Sequence, residues 1–235
     1  MLVDMWVEMF LCLLLAHLVA DFVFQTSKSC LSKADKHERS VHQYIHALIV
    51  FALAWLASWD LQFWWGALII GTAHLCTDIW KSYRPEDIKW FALDQCLHVS
   101  VLAVAAYIWC SAFTWSLPDF LSLKWMAIVI AAMVCWKPAN FIIKLTLRHY
   151  SVNMPAEKEG GFNAGALIGT IERWLILIFV CLQRYDALGL LIAAKSIIRF
   201  SEKDTAKTEY VLAGTLLSIF IAVLTGMMLS RLISC

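Results

Sequence analysis

Charge is what this chain has least of. Asp, Glu, Lys and Arg make up 16% of its 235 residues and 61% are hydrophobic, against roughly 45–50% apolar content in soluble domains. Mean hydropathy is +0.71, and the formal net charge of +1 says nothing about partners. There is no Gly-rich phosphate loop, nucleophile elbow or nucleic-acid module. No C-x-x-C pair occurs among the eight cysteines, which are scattered and are expected to act as small apolar fillers. A basic n-region is also missing: the first apolar run opens with Asp4 and Glu8 and holds His17 and Asp21, where a cleavable signal is purely apolar. This run is expected to stay as the first span.

Long apolar runs are abundant, and about 20 helical residues cross a hydrocarbon core of about 30 Å. The pattern predicts an all-α, polytopic membrane protein of seven or eight spans, at about 6–24, 42–59, 62–80, 91–113, 125–147, 164–183, 187–200 and 210–229. Two regions of one integral domain are expected, 1–113 and 114–235. If loops alternate sides, thirteen basic residues (among them Lys28, Lys33, Lys36, Arg39, Lys81 and Arg84) fall on one side, and only Lys124, Arg184 and Arg231 on the other. The positive-inside rule then puts loops 25–41, 81–90 and 148–163 in the cytoplasm and both termini outside an inner (plasma) membrane. The basic stretch Lys28–Arg39 reads as a solvated loop facing the lipid surface. Twelve tryptophans fit interfacial belts.

The polar residues inside these runs form a pattern. His74 and Asp78 close the third run, and Asp94 and His98 open the fourth. An earlier hairpin repeats the arrangement: His17 and Asp21 match His74 and Asp78, while His42 and His46 match Asp94 and His98. Each pair is spaced i, i+4, which puts both side chains on one helix face, and all eight fall near the cytoplasmic ends of their helices. The first four helices therefore read as two repeated hairpins with a pseudo-twofold axis along the membrane normal. Cys76 and Cys96 sit about 200° round the helix from the motif histidines and face away. His37 and His149 lie in loops, outside the pattern.

Three readings satisfy the cost of burying so many polar groups: a metal site, a proton or ion pathway, and a structural polar network. Imidazole plus carboxylate without thiolate suits zinc, manganese or iron, and eight donors suffice for one or two divalent ions. Gln25, Gln43 and Gln95 are placed to orient such ligands. Paired ions activate water and clamp a phosphoryl oxygen, so hydrolysis of a phosphoester at the cytoplasmic leaflet leads among the functions. An ion, proton or solute transporter or channel, and a structural or partner-binding membrane protein, are the alternatives. The expected partners are the lipid bilayer and a lipid or phosphoester substrate, and a homo-oligomer is compatible with the chain.

In the second half, Lys137-Pro138 is expected to kink span five, and Gly165-x-x-x-Gly169 permits close helix approach. Glu172, Arg173 and Lys195 lie deep enough in spans to need partners, as structural pairs or as contacts to an anionic substrate.

With His17-x-x-x-Asp21-Phe22-x-x-Gln25, His42-x-x-x-His46, His74-x-x-x-Asp78 and Asp94-Gln95-x-x-His98 in view, residues 10–110 resemble a family of bacterial multi-pass membrane proteins known only as a domain of unknown function. Gly165–Arg173, Lys195–Phe200 and Glu209–Gly214 are similar to the long form of that family. More distantly, the repeated H-x-x-x-D pairs are similar to the zinc sites of the phospholipase C and P1 nuclease superfamily and of its membrane-bound relatives. That likeness implies a metal-dependent hydrolase. The soluble enzymes also use an N-terminal tryptophan ligand, which a chain beginning Met1-Leu2 does not match.

Overall fold

A computed structural model describes residues 2–150, 164–199 and 205–234. Among these residues the secondary structure is entirely helical: α1 (Leu2–Val19), α2 (Ser27–Lys36), α3 (Val41–Ala57), α4 (Trp64–Ser82), α5 (Ile88–Ala112), α6 (Leu123–Val134), α7 (Lys137–His149), α8 (Ala164–Cys181), α9 (Tyr185–Arg199) and α10 (Thr205–Ser234). Lys158, Phe200, Lys203 and most of the expected loop 148–163 fall outside the described residues.

Among the described residues, four helical stretches are long and apolar enough to cross a membrane: Leu2–Phe24, Ile88–Ala112, Leu123–His149 and Glu209–Ile233. A fifth exists if α3 is joined to the helical segment Ser27–Arg39, from which it is bent by 106°. The sequence expectation was seven or eight. The difference lies in length and polar content: α3 and α9 are 17 and 15 residues long, α8 has at most 18 among the described residues, and α4 holds His74, Asp78 and Lys81 in 19.

The chain forms two compact units, Met1–Ile130 and Ala131–Cys235. In the first, α1 packs on α3 and α5, and α4 also packs on α3 and α5, so the four helices close a ring with α1 diagonal to α4. Close approach of α3 to α4 depends on Gly71. A Cβ there would stand 3.1 Å from Phe51 Cβ and 3.3 Å from the Ala47 carbonyl oxygen. The interior of this unit is apolar toward one end, with Met9, Leu13, Phe63, Ala67, Ala106 and Trp109 buried. At the other end it turns polar, with His17, Gln43, His46, His74, Asp94 and His98 buried.

The segment Lys28–Arg39, expected as a solvated loop, is largely helix α2. Thr26 starts it with a reciprocal cap: its hydroxyl accepts from the Ser29 N–H and Ser29 Oγ accepts from the Thr26 N–H, satisfying donors that a helix start otherwise leaves open. Lys33 is the buried residue of this helix.

In the second unit α8 packs on α10, with Cys135, Ile176, Val180 and Ala222 at its core. The stretch 123–149 is broken between α6 and α7, where Trp136 sits at φ −92°, ψ −108°. Pro138 explains the break, because it offers no N–H and its ring crowds the preceding turn. Arg173 closes the gap: its Nε donates to the Cys135 carbonyl at 2.6 Å, while its other nitrogens donate to Ser218, Asn140 and Thr170. Gly169 makes room one turn away, since a Cβ there would lie 3.2 Å from Arg173 Nη1. Glu172 pairs with Lys195.

Candidate metal centre

Four helices each deliver one face of the polar end. On α1, His17 sits in the last turn, and Asp21 follows in a π-helical turn, Ala20–Phe24. Such wide turns are rare and cluster at functional sites. His46 comes from α3, His74 and Asp78 from α4, and Asp94 and His98 from α5.

Asp21 is the hub. Its Oδ1 lies 3.0 Å from His74 Nε2, 3.2 Å from His46 Nε2 and 3.7 Å from His17 Nδ1. Asp78 presents its Oδ1 to His74 Nδ1 at 3.6 Å and to His98 Nε2 at 4.0 Å. The imidazoles of His74 and His98 stack at 3.8 Å between centroids. Among the described residues, three sets of donors lie close enough together to hold an ion: His17, Asp21, His74 and His98; His46, His74 and Asp78; and Asp78, Asp94 and His98. Within each, the ligand atoms are within 4.8 Å of one another. Bonds of about 2.0–2.1 Å to a tetrahedral ion draw ligands somewhat closer than that.

The residues fit a cation on a second count. Nine buried side-chain nitrogen or oxygen atoms among the described residues lack a hydrogen-bond partner, and eight belong to this region: His17 Nδ1, both amide atoms of Gln43, His46 Nε2, His74 Nδ1, Asp94 Oδ1 and both ring nitrogens of His98. His46 Nε2 is near Asp21 but outside hydrogen-bonding geometry. Native interiors leave few such atoms, and a cluster of them calls for an explanation such as an ion. His17, His74 and His98 enclose, with Ile70, Val101 and Leu102, a void of about 10 Å³, near the lower limit of roughly 10–15 Å³ for one water.

Gln95 ties the set together. Its Oε1 lies 3.3 Å from His17 Nε2 and its Nε2 donates to Asp21 Oδ2 and Asp94 Oδ2. Because the amide oxygen only accepts, this bond needs the His17 proton on Nε2, which leaves Nδ1 of a neutral ring as an acceptor facing Asp21 Oδ1. Two lone pairs facing each other require a proton or a cation between them.

Two lysines complete the site, and the sequence reading did not single them out. Lys33 Nζ donates to Asp78 Oδ2 at 2.6 Å, and Lys81 Nζ donates to Asp94 Oδ2 at 2.8 Å. Lys33 shares Asp78 Oδ2 with His46 Nε2, 3.9 Å away, and Lys81 shares Asp94 Oδ2 with the Gln95 amide. Lys81 was findable, standing three residues after Asp78 on the same helix side. Lys33 reaches across 45 positions from a segment read as a loop.

Of the remaining sequence candidates, His42 is exposed on α3 and Gln43 takes the interior beside His46. Gln25 is half-buried just past the π-helical turn, without a polar partner. Cys76 and Cys96 are exposed. Glu172, Arg173 and Lys195 belong to the second unit.

Over the site, α2 is pinned at its far end. His37 holds a positive φ of 48°, a strained conformation for a non-glycine residue, and it stacks on Tyr83 at 4.1 Å while its Nδ1 meets Ser82 Oγ at 3.1 Å. The Tyr83 hydroxyl donates to Glu38. That bond holds the Glu38 carboxyl below its usual range and pushes the Tyr83 phenol up.

No curated protein and no solved structure matches this chain. A family described as a protein of unknown function (DUF3307) matches residues 9–128, which hold every member of the histidine and aspartate cluster and just over half of the sequence. The chain belongs to the DUF3307 family.

Proposed function

We propose that this protein is a metal-dependent hydrolase of the membrane that cleaves a phosphoester at the cytoplasmic leaflet. The observation that carries the reading is the set of eight unpartnered buried polar atoms on four converging helices. Charge supports it. Asp21, Asp78 and Asp94 against Lys33 and Lys81 leave one negative charge in excess when the imidazoles are neutral, and buried charge of that kind needs a counter-ion. One divalent ion with one hydroxide or one phosphate oxygen balances it, and the donor count leaves room for a second ion. Zinc, manganese and iron all suit the donors.

A bound ion would supply Lewis acidity and a nucleophilic water. The chain's own residues do the rest. His17, Asp21, His74 and His98 hold the ion, with His46, Asp78 and Asp94 as the neighbouring donors. Gln95 orients His17, and Lys33 and Lys81 anchor the carboxylates of Asp78 and Asp94 through Oδ2. A transporter or channel would need a polar route onward, whereas the interior beyond the histidines is filled by Met9, Leu13, Ala67, Ala106 and Trp109.

We read α3, α4, α8 and α9 as completing seven or eight crossings of an inner membrane, and α1–α3 and α4–α5 as two copies of one hairpin. The diagonal placing of α1 and α4 supports that repeat. Elemental analysis of the purified protein beside His74→Ala and His98→Ala tests the centre. The expected result is at least one bound equivalent in the wild type, lost in both variants, with metal-dependent hydrolysis of bis(p-nitrophenyl) phosphate. A metal-free, folded wild type that no added metal activates overturns the reading.

A further inference from the structure

We infer that the substrate is a lipid phosphoester, and that one of its hydrocarbon chains lies in the apolar groove between α4 and α5 while its phosphate end reaches the histidine cluster. The inference rests on the hydrolase reading. The groove holds about 330 Å³, within the range of roughly 300–1,000 Å³ for ligand pockets. Its walls include Phe63, Ile69, Val104, Ile108 and Trp109. The hydroxyl of Ser100, its polar lining residue, is already bound to the Cys96 carbonyl. Ala73 and Ala105 present little bulk in the groove, and Gly66 makes room for the Phe63 ring that forms part of its wall.

Three features select a lipid chain as the occupant. First, the groove adjoins the site: Val101 lines both it and the small void bordered by His17, His74 and His98, and Ala73 directly precedes His74. A chain lying in the groove therefore brings its head beside the histidine cluster. Second, the groove follows α5 from Ser100 to Trp109, about 14 Å at 1.5 Å per residue. That is about half of a hydrocarbon core of roughly 30 Å, the depth of the one leaflet on the side of the site. Third, its lips are open sideways: Ile69, Val104 and Ile108 are each at least half exposed, so a chain enters from the bilayer without crossing the polar end.

Photolabelling and kinetics on the full-length protein in detergent test this, with a long-chain alkyl phosphate bearing a diazirine at the chain end as probe. Labelling is expected to saturate and to map to Ile69, Val104 and Ile108. Ala105→Phe and, independently, Ser100→Leu should abolish it while leaving metal content and hydrolysis of bis(p-nitrophenyl) phosphate unchanged. The same variants should raise KM for a long-chain alkyl p-nitrophenyl phosphate at least tenfold. In the wild type, shortening that chain should weaken binding roughly tenfold per two methylenes. Turnover of the chainless ester, with label spread evenly over lipid-facing side chains or joining two copies of the protein, overturns the groove and leaves the hydrolase standing. Confined, saturable labelling with no turnover of either ester overturns the hydrolase and leaves chain binding in place.

Discussion

Replacing Lys33 by methionine separates a metal centre from a purely structural polar network. Methionine keeps most of the apolar stem and removes the ammonium that sits 2.6 Å from Asp78 Oδ2, in a pair whose side chains are only 8% and 13% exposed. At that burial the relevant figure is not the ~0–1 kcal/mol of a surface pair but the ~3–5 kcal/mol for stripping one partner from a buried pair. Without metal, Asp78 keeps only imidazole nitrogens at 3.6, 3.9 and 4.0 Å, too far to replace the lost contact. With metal bound beside Oδ1, the ion compensates the carboxylate, and the loss should shrink to about 1–2 kcal/mol. At ~2–4 °C per kcal/mol for a chain of this size, the variant should melt roughly 10 °C lower in chelator and only a few degrees lower in metal. Tryptophan fluorescence melts in detergent, with EDTA and with added zinc or manganese, read the difference. Equal losses in both conditions would refute the reasoning. Lys81→Met is the internal comparison: its side chain is 34% exposed beside an Asp94 that is 2% exposed, so a smaller loss of about 1–2 kcal/mol is expected in chelator.

Other expectations follow from the same geometry. His46→Ala should lower metal affinity by at least tenfold, whereas His42→Ala should leave metal content and melting unchanged because His42 is exposed; isothermal titration distinguishes the two. Gly71→Leu should force α3 from α4 and cost about 1–3 kcal/mol by overpacking, with metal content falling alongside melting temperature. Arg173→Leu should destabilise the second unit by about 3 kcal/mol or more, since it leaves the Cys135 carbonyl and Asn140 without their donor, and Arg173→Lys should recover only part of that. In a chain cleared of native cysteines, Lys36→Cys should react with an impermeant thiol reagent from the cytoplasmic side and Asp119→Cys from the outer side.

The helical class was open to the eye because apolar runs of membrane length leave little alternative, and His17/Asp21 and His74/Asp78 announced a shared face through i, i+4 spacing. That spacing did not decide which neighbour points inward on α3. His42 and Gln43 are 100° apart, and the face of α3 that turns inward is the one whose Ala47 and Phe51 pack on Gly71 of α4, a tertiary contact that the α3 sequence alone does not display. Helix α2 was hidden because four basic residues look like a loop, although Thr26 and Ser29 form a start signal three residues apart. Lys33 and Arg173 were harder still. Their partners are 45 and 38 positions away, and no local periodicity carries information over such distances.

The cap that Arg173 places on the break at Cys135 has a consequence for how the chain is made. A helix interrupted inside a bilayer exposes carbonyls that lipid cannot satisfy, and here the donor that closes the gap sits on α8, synthesised after the broken segment 123–149 has already left the ribosome. Until α8 packs beside it, the Cys135 carbonyl lacks its side-chain donor. The broken segment and α8 are therefore expected to settle in the membrane as a pair and not as independent spans.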